Sequence, residues 1–194
     1  MQAFLISTAG IALGELGDKT QLLALILATQ LRRPLAIILG ILVATLANHL
    51  LAALLGQWVG SLLTPQLLRW TLGISFLALA VWILVPDKLD AVASARGGYG
   101  AFVLTLTSFF LAEMGDKTQI VAMALAARFH DLTAVVAGTT LGMMLVNVPT
   151  VLLAQRVTRI VPLAWIRVGA ALLYALLGAL TLLGYASFGA LRGP

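Results

Sequence analysis

The chain has 194 residues, of which 61% are hydrophobic and only 10% charged, and its formal net charge at pH 7 is +5. So few charged residues cannot cover the surface of a soluble domain of this length, which excludes that class of protein. The basic residues stand singly or in pairs at the ends of apolar stretches, so a lipid bilayer explains the positive charge better than nucleic acid does.

Six apolar stretches follow one another along the chain, each long enough for the roughly 20 residues that a membrane-spanning helix needs. They cover approximately residues 3–30, 34–60, 66–86, 99–127, 132–155 and 163–188. The stretches are continuously apolar and lack the alternation of a membrane barrel, so the pattern predicts helices. Residues 1–14 contain no Lys or Arg and thus lack the charged start of a signal peptide, so we expect the first stretch to be a retained helix.

The first and fourth stretches contain the same motif. Glu15–Gln21 reads ELGDKTQ, and Glu113–Gln119 reads EMGDKTQ 98 residues later, with six of the seven residues identical. Near this offset, further residues also match: Phe4 with Phe102, Leu13 with Leu111, Ala24 with Ala122, Ala36 with Ala134, Gly40 with Gly138, Asn48 with Asn147 and Gly73 with Gly169. The chain is therefore a duplication, with residues 1–90 as the first copy, residues 91–194 as the second and a linker around 87–98.

Each copy contains three predicted spans, and an odd number of spans makes the second copy enter the membrane upside down relative to the first. This is the inverted-repeat plan of many secondary transporters. The sequence thus predicts an all-α membrane protein with six transmembrane helices, arranged as two inverted three-helix repeats in one compact bundle.

Basic residues predict the orientation of this bundle. The loops after spans one, three and five hold seven of them: Arg32, Arg33, Lys88, Arg96, Arg156, Arg159 and Arg167. The opposite side holds three: Arg69, Arg128 and Arg192. Because the side richer in Lys and Arg faces the cytoplasm, we expect both termini outside. Four tryptophans stand near predicted span ends, as interfacial aromatic residues do: Trp58, Trp70, Trp82 and Trp165.

Four of the seven acidic residues lie in the two motifs: Glu15, Asp18, Glu113 and Asp116. An ionisable side chain within a membrane span costs about 2.5–3.5 kcal/mol on insertion scales. We therefore expect these acids to face the bundle interior, a cavity or one another. A single buried acid–lysine pair is compatible with a purely structural role, but a complete motif in both copies weakens that interpretation.

Gly17 and Gly115 favour a locally unwound helix at each motif, because glycine tolerates bends. Our hypothesis is that the helices break there and that freed backbone carbonyls join the carboxylates as oxygen ligands. The break would bring four further side chains to the acids as ligands: Thr20, Gln21, Thr118 and Gln119.

Other polar residues carry weaker signals. Asn48 and Asn147 recur on the second predicted helix of each copy, where they either supply amide ligands or hydrogen bonds around the site, or hold neighbouring helices together. His49 occurs in one copy only, so a metal role shared by both copies is not expected. We predict it to be an interior histidine with satisfied hydrogen bonds, and His130 to lie in a loop.

The charges of the motifs indicate a ligand. Four carboxylates together with Lys19 and Lys117 sum to −2, which one divalent cation or two protons would neutralise equally well. With no cysteine in the chain, an oxygen-lined site suits Ca²⁺, Mn²⁺ or Mg²⁺, and the reluctance of Mg²⁺ to lose water favours the first two. The lysines are either counter-ions to the carboxylates of the opposite copy, which we favour, or charge-compensating gates.

Glu15–Thr20 and Glu113–Thr118 resemble the paired E-x-G-D-[K/R]-[T/S] motifs of a family of small membrane proteins, which includes Golgi manganese/calcium–proton exchangers and bacterial manganese exporters. The resemblance covers essentially the whole chain. It implies export of Mn²⁺ or Ca²⁺ from the cytoplasm in exchange for protons, with no permanent cofactor. The motif acids would bind the cation, with the neighbouring Thr and Gln residues beside them. The bacterial members favour Mn²⁺, and the shortness of the chain favours a bacterial plasma (inner) membrane.

Two other functions remain open from the sequence. A small-metabolite exporter, of amino acids for example, also uses inverted three-helix repeats, although its site would be roomier and asymmetric. An intramembrane aspartyl protease would need Gly at positions 15 and 113, where Glu stands, and no cluster of Arg, Ser or His accompanies the motifs to hold a lipid phosphate. The sequence does not decide whether the chain forms a homo-oligomer.

Overall fold

The computed structural model of the chain describes residues 1–85, 100–154 and 163–184, and for residues 163–167 it describes the backbone alone. Within these ranges the regular structure is entirely helical, which confirms the all-α prediction. The helices are α1 (Gln2–Glu15), α2 (Lys19–Leu31), α3 (Pro34–Leu62), α4 (Pro65–Trp82), α5 (Ala101–Glu113), α6 (Lys117–Phe129), α7 (Leu132–Leu153) and α8 (Leu163–Leu182).

Four of the six predicted stretches form one helix each, whereas the first and the fourth form two each. Helices α1 and α2 share the first stretch, α5 and α6 share the fourth, and each pair is interrupted within the duplicated motif. These four helices have only 13 or 14 residues each, about 20 Å of helix. Neither half is long enough to cross a bilayer alone.

Helices α3 and α7 are the clearest candidates for membrane spans. Among the described helices, α3 and α7 are long and apolar enough to cross a membrane by themselves. Large apolar side chains lie on the outside of the molecule on several helices, including Leu35, Trp58, Val81, Leu111 and Leu172. An exposed apolar surface of this extent is typical of contact with lipid rather than with water.

The turns between the helices repeat with the same 98-residue spacing. α2 and α6 both end at a residue in the left-handed region, Arg32 and His130, each with φ of 52°. The Asp131 side chain then accepts a hydrogen bond from Ala134 N at the start of α7, and Pro34 occupies the first turn of α3, where a missing N–H costs nothing. The predicted loop position of His130 is confirmed.

The two copies pack on each other reciprocally. Gly40 on α3 meets α5, where a Cβ on the glycine would lie 2.8 Å from Thr105 Cβ. Gly138 on α7 meets α1 in the same way, with a Cβ 2.9 Å from Ser7 Cβ. Both residue pairs are related by the 98-residue spacing of the motifs. α3 of the first copy therefore packs against α5 of the second copy, and α7 of the second copy packs against α1 of the first.

The last helix of each copy, α4 and α8, completes the contact between the copies. They cross at two glycines, where a Cβ on Gly178 would lie 3.0 Å from the backbone oxygen of Gly73. One apolar cluster includes Ile11 of α1, Phe76 of α4 and Tyr174 of α8. Buried side chains from both copies thus contribute to the same core.

Several sequence predictions concern residues that the structure does not describe. The linker around 87–98 and five of the basic residues lie outside the described ranges: Lys88, Arg96, Arg156, Arg159 and Arg192. The side chains of Trp165 and Arg167 are likewise outside the description, although both residues belong to α8. Trp58, Trp70 and Trp82 are exposed near helix ends, as interfacial residues should be.

We expect Gly138→Ala to lower the stability of the protein by about 1–3 kcal/mol, because the added Cβ would lie 2.5 Å from the backbone oxygen of Phe4 and force α7 away from α1. Gly169→Ala is the matched control, since no described atom lies within 4 Å of that Cβ. Thermal unfolding of both variants in detergent gives the comparison. Equal melting temperatures would contradict the reciprocal packing.

Candidate functional site

The duplicated motif interrupts the helix in both copies with the same backbone geometry. α1 ends at Glu15, the chain turns through Gly17 at φ of 80°, and α2 starts after Asp18. In the second copy Gly115 has φ of 74° between α5 and α6. Residues with a Cβ rarely adopt this left-handed region. The hypothesis that the helices break at the motif glycines is confirmed.

The break places the motif acids at opposite kinds of helix end. Glu15 and Glu113 are the last residues of α1 and α5, where unpaired carbonyls carry partial negative charge. Asp18 and Asp116 are the residues that precede α2 and α6, where backbone N–H groups carry partial positive charge. The glutamates therefore stand in the electrostatic environment that favours a cation, and the aspartates in one that stabilises their own charge.

The motif glutamines hold the break in shape. Gln21 Oε1 accepts a hydrogen bond from Gly17 N, and Gln119 Oε1 accepts one from Gly115 N, both at 2.7 Å. Gln21 Nε2 also donates to Thr150 Oγ1 of α7, at 3.1 Å. In a membrane the N–H groups of an interrupted helix must find such partners inside the protein. The two glutamines thus have a structural task, and their service as ion ligands stays a prediction.

The motifs contact each other through ion pairs that cross between the copies. Lys19 Nζ lies 3.1 Å from Asp116 Oδ1, and Lys117 Nζ lies 3.9 Å from Asp18 Oδ1. The Lys117 side chain is 6% exposed and the Lys19 side chain 24%. A buried charge is tolerated when an opposite charge lies close to it. The geometry agrees with the favoured interpretation of the lysines as counter-ions to the opposite copy.

The two motif glutamates are completely buried and lie in the same region. Glu15 and Glu113 have no exposed surface, and none of their carboxyl oxygens accepts a hydrogen bond from the residues that the structure describes. Each glutamate is close enough to interact electrostatically with both Asp18 and Asp116. The four acids therefore share one electrostatic environment and do not point into separate corners of the bundle.

Two more pairs of motif-related side chains border this region. Thr20 and Thr118 are buried, and neither hydroxyl group has a hydrogen-bond partner within the described part of the chain. Asn48 Nδ2 donates to the backbone oxygen of Phe110, 3.1 Å away in the last turn of α5. Asn147 Nδ2 donates within α7, and this side chain also interacts electrostatically with Glu15. Both asparagines are thus placed to support the ends of the broken helices.

His49 differs from its prediction. The side chain is interior, with no exposed surface, but neither ring nitrogen has a hydrogen-bond partner among the described residues. The expectation of a satisfied histidine is therefore wrong. His49 Nε2 faces Glu113 instead, with 3.7 Å between it and Glu113 Oε2. Sequence analysis set this residue aside because it occurs in one copy only.

Tyr174 is a second residue near the site that sequence analysis missed. It is fully buried on α8, its hydroxyl group donates to the backbone oxygen of Gly10 at 2.7 Å, and it interacts electrostatically with Glu15. The only available signal was a polar aromatic residue inside an apolar stretch, which is too common to single out. Tyr174 fastens α8 to the helix that ends in Glu15.

The acids do not form a ready-made cage in this arrangement. No three Asp, Glu or His side chains within the described residues lie at the spacing that would hold one metal ion together. Lys19 and Lys117 are drawn to the two aspartates instead. An ion that used all four carboxylates would have to displace the lysine groups from Asp18 and Asp116.

Known proteins match the chain over most of its length. A family model described as "Divalent cation/proton antiporter GDT1" matches residues 3–91 and 101–187, so that each matched segment contains one motif. A "Putative manganese exporter" of Vibrio cholerae serotype O1 is 49% identical over 182 residues, which cover 93% of this chain and 90% of that protein. A "GDT1-like protein" of Synechocystis sp. is 29% identical over 163 residues, or 73% of this chain and 78% of its own. No solved structure matches the chain.

The break itself can be tested at Gly115. We expect Gly115→Ala to cost about 1–2 kcal/mol of stability, because alanine is disfavoured at a positive φ. Gly100→Ala is the control: no described atom lies within 4 Å of the Cβ at either position, and Gly100 has φ of −59°. Chemical denaturation in detergent measures both variants. A Gly115→Ala protein as stable as the Gly100→Ala protein would show that the helix does not break there.

Proposed function

The chain belongs to the GDT1 family of divalent cation/proton antiporters, and on that premise we propose that it exports Mn²⁺ from the cytoplasm in exchange for protons. The chain is a transporter and not an enzyme. The choice of Mn²⁺ is supported by the 49% identity with the relative named as a manganese exporter, which extends over 90% of that protein. A small-metabolite exporter and an intramembrane enzyme, the two alternatives from the sequence, have no support from this family.

Glu15, Asp18, Glu113 and Asp116 form the ion site in this proposal. The observation that carries it is the pair of lysine–aspartate contacts between the copies, at 3.1 Å and 3.9 Å. These contacts bring both motifs to one place, where the four carboxylates interact with one another. Additional oxygen atoms come from the hydroxyl groups of the two motif threonines, which have no hydrogen-bond partner within the described ranges, and from the amide groups of the two motif glutamines: Thr20, Thr118, Gln21 and Gln119.

Exchange follows from competition for the same oxygen atoms. The four carboxylates and two lysines carry −2 when ionised, and this charge is neutralised either by one Mn²⁺ or by two protons. A carboxyl group that holds a proton is a poor ligand, so a proton and the metal ion exclude each other. Lys19 and Lys117 compensate the aspartates when no ion is bound, and Asn48 and Asn147 orient the ends of the broken helices.

The transport cycle requires an inverted arrangement of the copies. We infer six membrane crossings, in which α1 with α2 and α5 with α6 each form one interrupted crossing. The reciprocal seating of Gly40 on α5 and of Gly138 on α1 supports two equivalent halves. Interrupted helices at the interface of inverted repeats are the usual ion sites of secondary transporters.

The proposed location is the inner membrane of a bacterium, with both termini outside. The bacterial relatives support the membrane, and the excess of Lys and Arg in the odd-numbered loops supports the orientation. With this orientation, the first copy enters from the outside and the second from the cytoplasm. The two faces of the shared site can then open in turn to either side of the membrane.

The first functional test is the isosteric removal of charge. We expect Glu15→Gln and Asp116→Asn each to lower Mn²⁺ flux driven by a pH difference across liposomes at least about 10-fold. Loss of a group that only orients a metal ligand already lowers affinity or activity about 10-fold, and loss of the ligand itself should cost at least as much. Asp131→Asn is the control: this acid lies outside the motifs and caps α7, a task that Asn performs equally well. Normal flux in both motif variants would refute the assigned site.

Thr20→Ala should reduce the same flux less than either acid variant. The hydroxyl group supplies one neutral oxygen, and the loss of such an interaction is worth about 1 kcal/mol, or roughly fivefold. Dose–response curves for Mn²⁺ in reconstituted Thr20→Ala and Glu15→Gln proteins give the comparison. An equal loss in the two would instead make the Thr20 hydroxyl group an indispensable ligand.

A further inference from the structure

His49 is a buried polar side chain beside the acids of the proposed site. It lies near the middle of α3, it has no exposed surface, and both of its nitrogens are without a hydrogen-bond partner among the described residues. Burying a polar group without a partner costs free energy, so such groups in native proteins call for an explanation. The neighbouring group is a carboxylate of the proposed ion site, since Nε2 lies 3.7 Å from Glu113 Oε2.

The surroundings of Glu113 are suited to a bound ion. Glu113 has no exposed surface, and its oxygens accept no hydrogen bond from the described residues. First-row metal ions bind nitrogen and oxygen ligands at about 2.0–2.2 Å, so two ligand atoms of one ion can be up to about 4.4 Å apart. The 3.7 Å between His49 Nε2 and Glu113 Oε2 falls within this limit. A single ion can therefore bind both atoms without a large movement of α3 against α5.

The side chain of the second copy that corresponds to this histidine is an amide. At the 98-residue spacing that relates Gly40 to Gly138 on the same two helices, His49 corresponds to Asn147, whose side chain lies beside Glu15. The polar surroundings of Glu113 and Glu15 therefore differ by an imidazole in place of an amide. One ion that moves through one shared site needs only one nitrogen ligand.

Chemistry assigns this ligand a task that the carboxylates cannot perform. Ca²⁺ is bound almost entirely by oxygen atoms, and an all-oxygen site accepts Ca²⁺ and Mn²⁺ alike. Imidazole nitrogen is a common ligand of transition metals. Mn²⁺ has the lowest affinity for such ligands among the first-row divalent ions, but it belongs to that class, whereas Ca²⁺ takes oxygen ligands. One nitrogen atom in a set of oxygen atoms therefore favours Mn²⁺ over Ca²⁺.

We propose that a ring nitrogen of His49 is a ligand of the transported ion beside Glu113, and that it makes the site select Mn²⁺ over Ca²⁺. This inference rests on the proposed function and specifies the substrate of the same site. A ligand of a single shared ion does not have to be a histidine in both copies, so the occurrence of His49 in one copy only is compatible with this role.

The direct test is spectroscopic and does not depend on transport. Pulsed electron paramagnetic resonance on detergent-purified protein with one equivalent of Mn²⁺, after removal of any histidine tag and in buffer without nitrogen ligands, detects a ¹⁴N nucleus bound to the ion. The chain has only two histidines. We expect the ¹⁴N coupling in the unaltered protein and in His130→Gln, whose site is exposed after α6, and its loss in His49→Gln.

The functional test measures selectivity rather than rate alone. The concentration of Ca²⁺ that halves Mn²⁺ uptake into liposomes should fall at least about 10-fold in His49→Gln, which replaces the ring by an amide with an oxygen donor. His49→Val is the second variant, since it removes both ring nitrogens and supplies no other donor atom. It should lose the same preference while keeping an apolar side chain in the core, and thermal unfolding shows whether each variant is folded.

The outcomes separate this inference from the function on which it rests. Loss of the ¹⁴N coupling together with loss of the Mn²⁺ preference in folded variants supports a His49 ligand. If the unaltered protein exchanges Mn²⁺ for protons but shows no ¹⁴N coupling, the ligand role is overturned and the antiport stands. If folded His49→Val keeps the full Mn²⁺ preference, the role of His49 in selectivity is overturned and the antiport likewise stands. If the unaltered protein moves no Mn²⁺ under a proton gradient, the proposed function fails and the ligand role fails with it.

Discussion

The structure depends on the burial of charged side chains that neither copy can neutralise alone. Lys19 pairs with Asp116 and Lys117 pairs with Asp18, so each motif obtains its opposite charge from the other half of the chain. In an apolar bundle an unpaired charge costs several kcal/mol. The two halves are therefore coupled most strongly at the place where the ion is proposed to bind, and an ion that enters this site also acts on the contact between the halves.

The broken helices supply what this arrangement needs from the backbone. In a continuous helix the motif glutamate and aspartate would both lie within the helix, whereas the turn at Gly17 and at Gly115 places the glutamate at the end of one helix and the aspartate before the start of the next. The glutamine side chains of the motif bind the glycine N–H groups that the turn exposes, at 2.7 Å in both copies. The motif thus contains the glycine at which the helix breaks, the glutamine that stabilises the break and the two acids on either side of it.

The two halves are equivalent in their scaffold and unequal around the glutamates. Reciprocal contacts at Gly40 and Gly138 are related by the duplication. The glutamates differ in their neighbours, because Glu113 faces the imidazole of His49 whereas Glu15 lies beside the amide of Asn147 and near Tyr174. In the proposed function, the symmetry of the scaffold lets the site open to either side of the membrane. The difference between the surroundings of the two glutamates is the proposed basis for distinguishing Mn²⁺ from Ca²⁺.

Much of this protein was predictable from the sequence, because each signal is local. Continuous apolar stretches predicted the helices, the repeated motif revealed the duplication, and Gly17 with Gly115 indicated the breaks, since burial and backbone freedom are properties of short segments. Which side chains meet across the bundle was decided by the tertiary structure. The pairing of Lys19 with Asp116 and the contact of His49 with Glu113 join residues far apart in the chain. An apolar pattern predicts that a helix face is buried, but it does not predict which helix packs against that face.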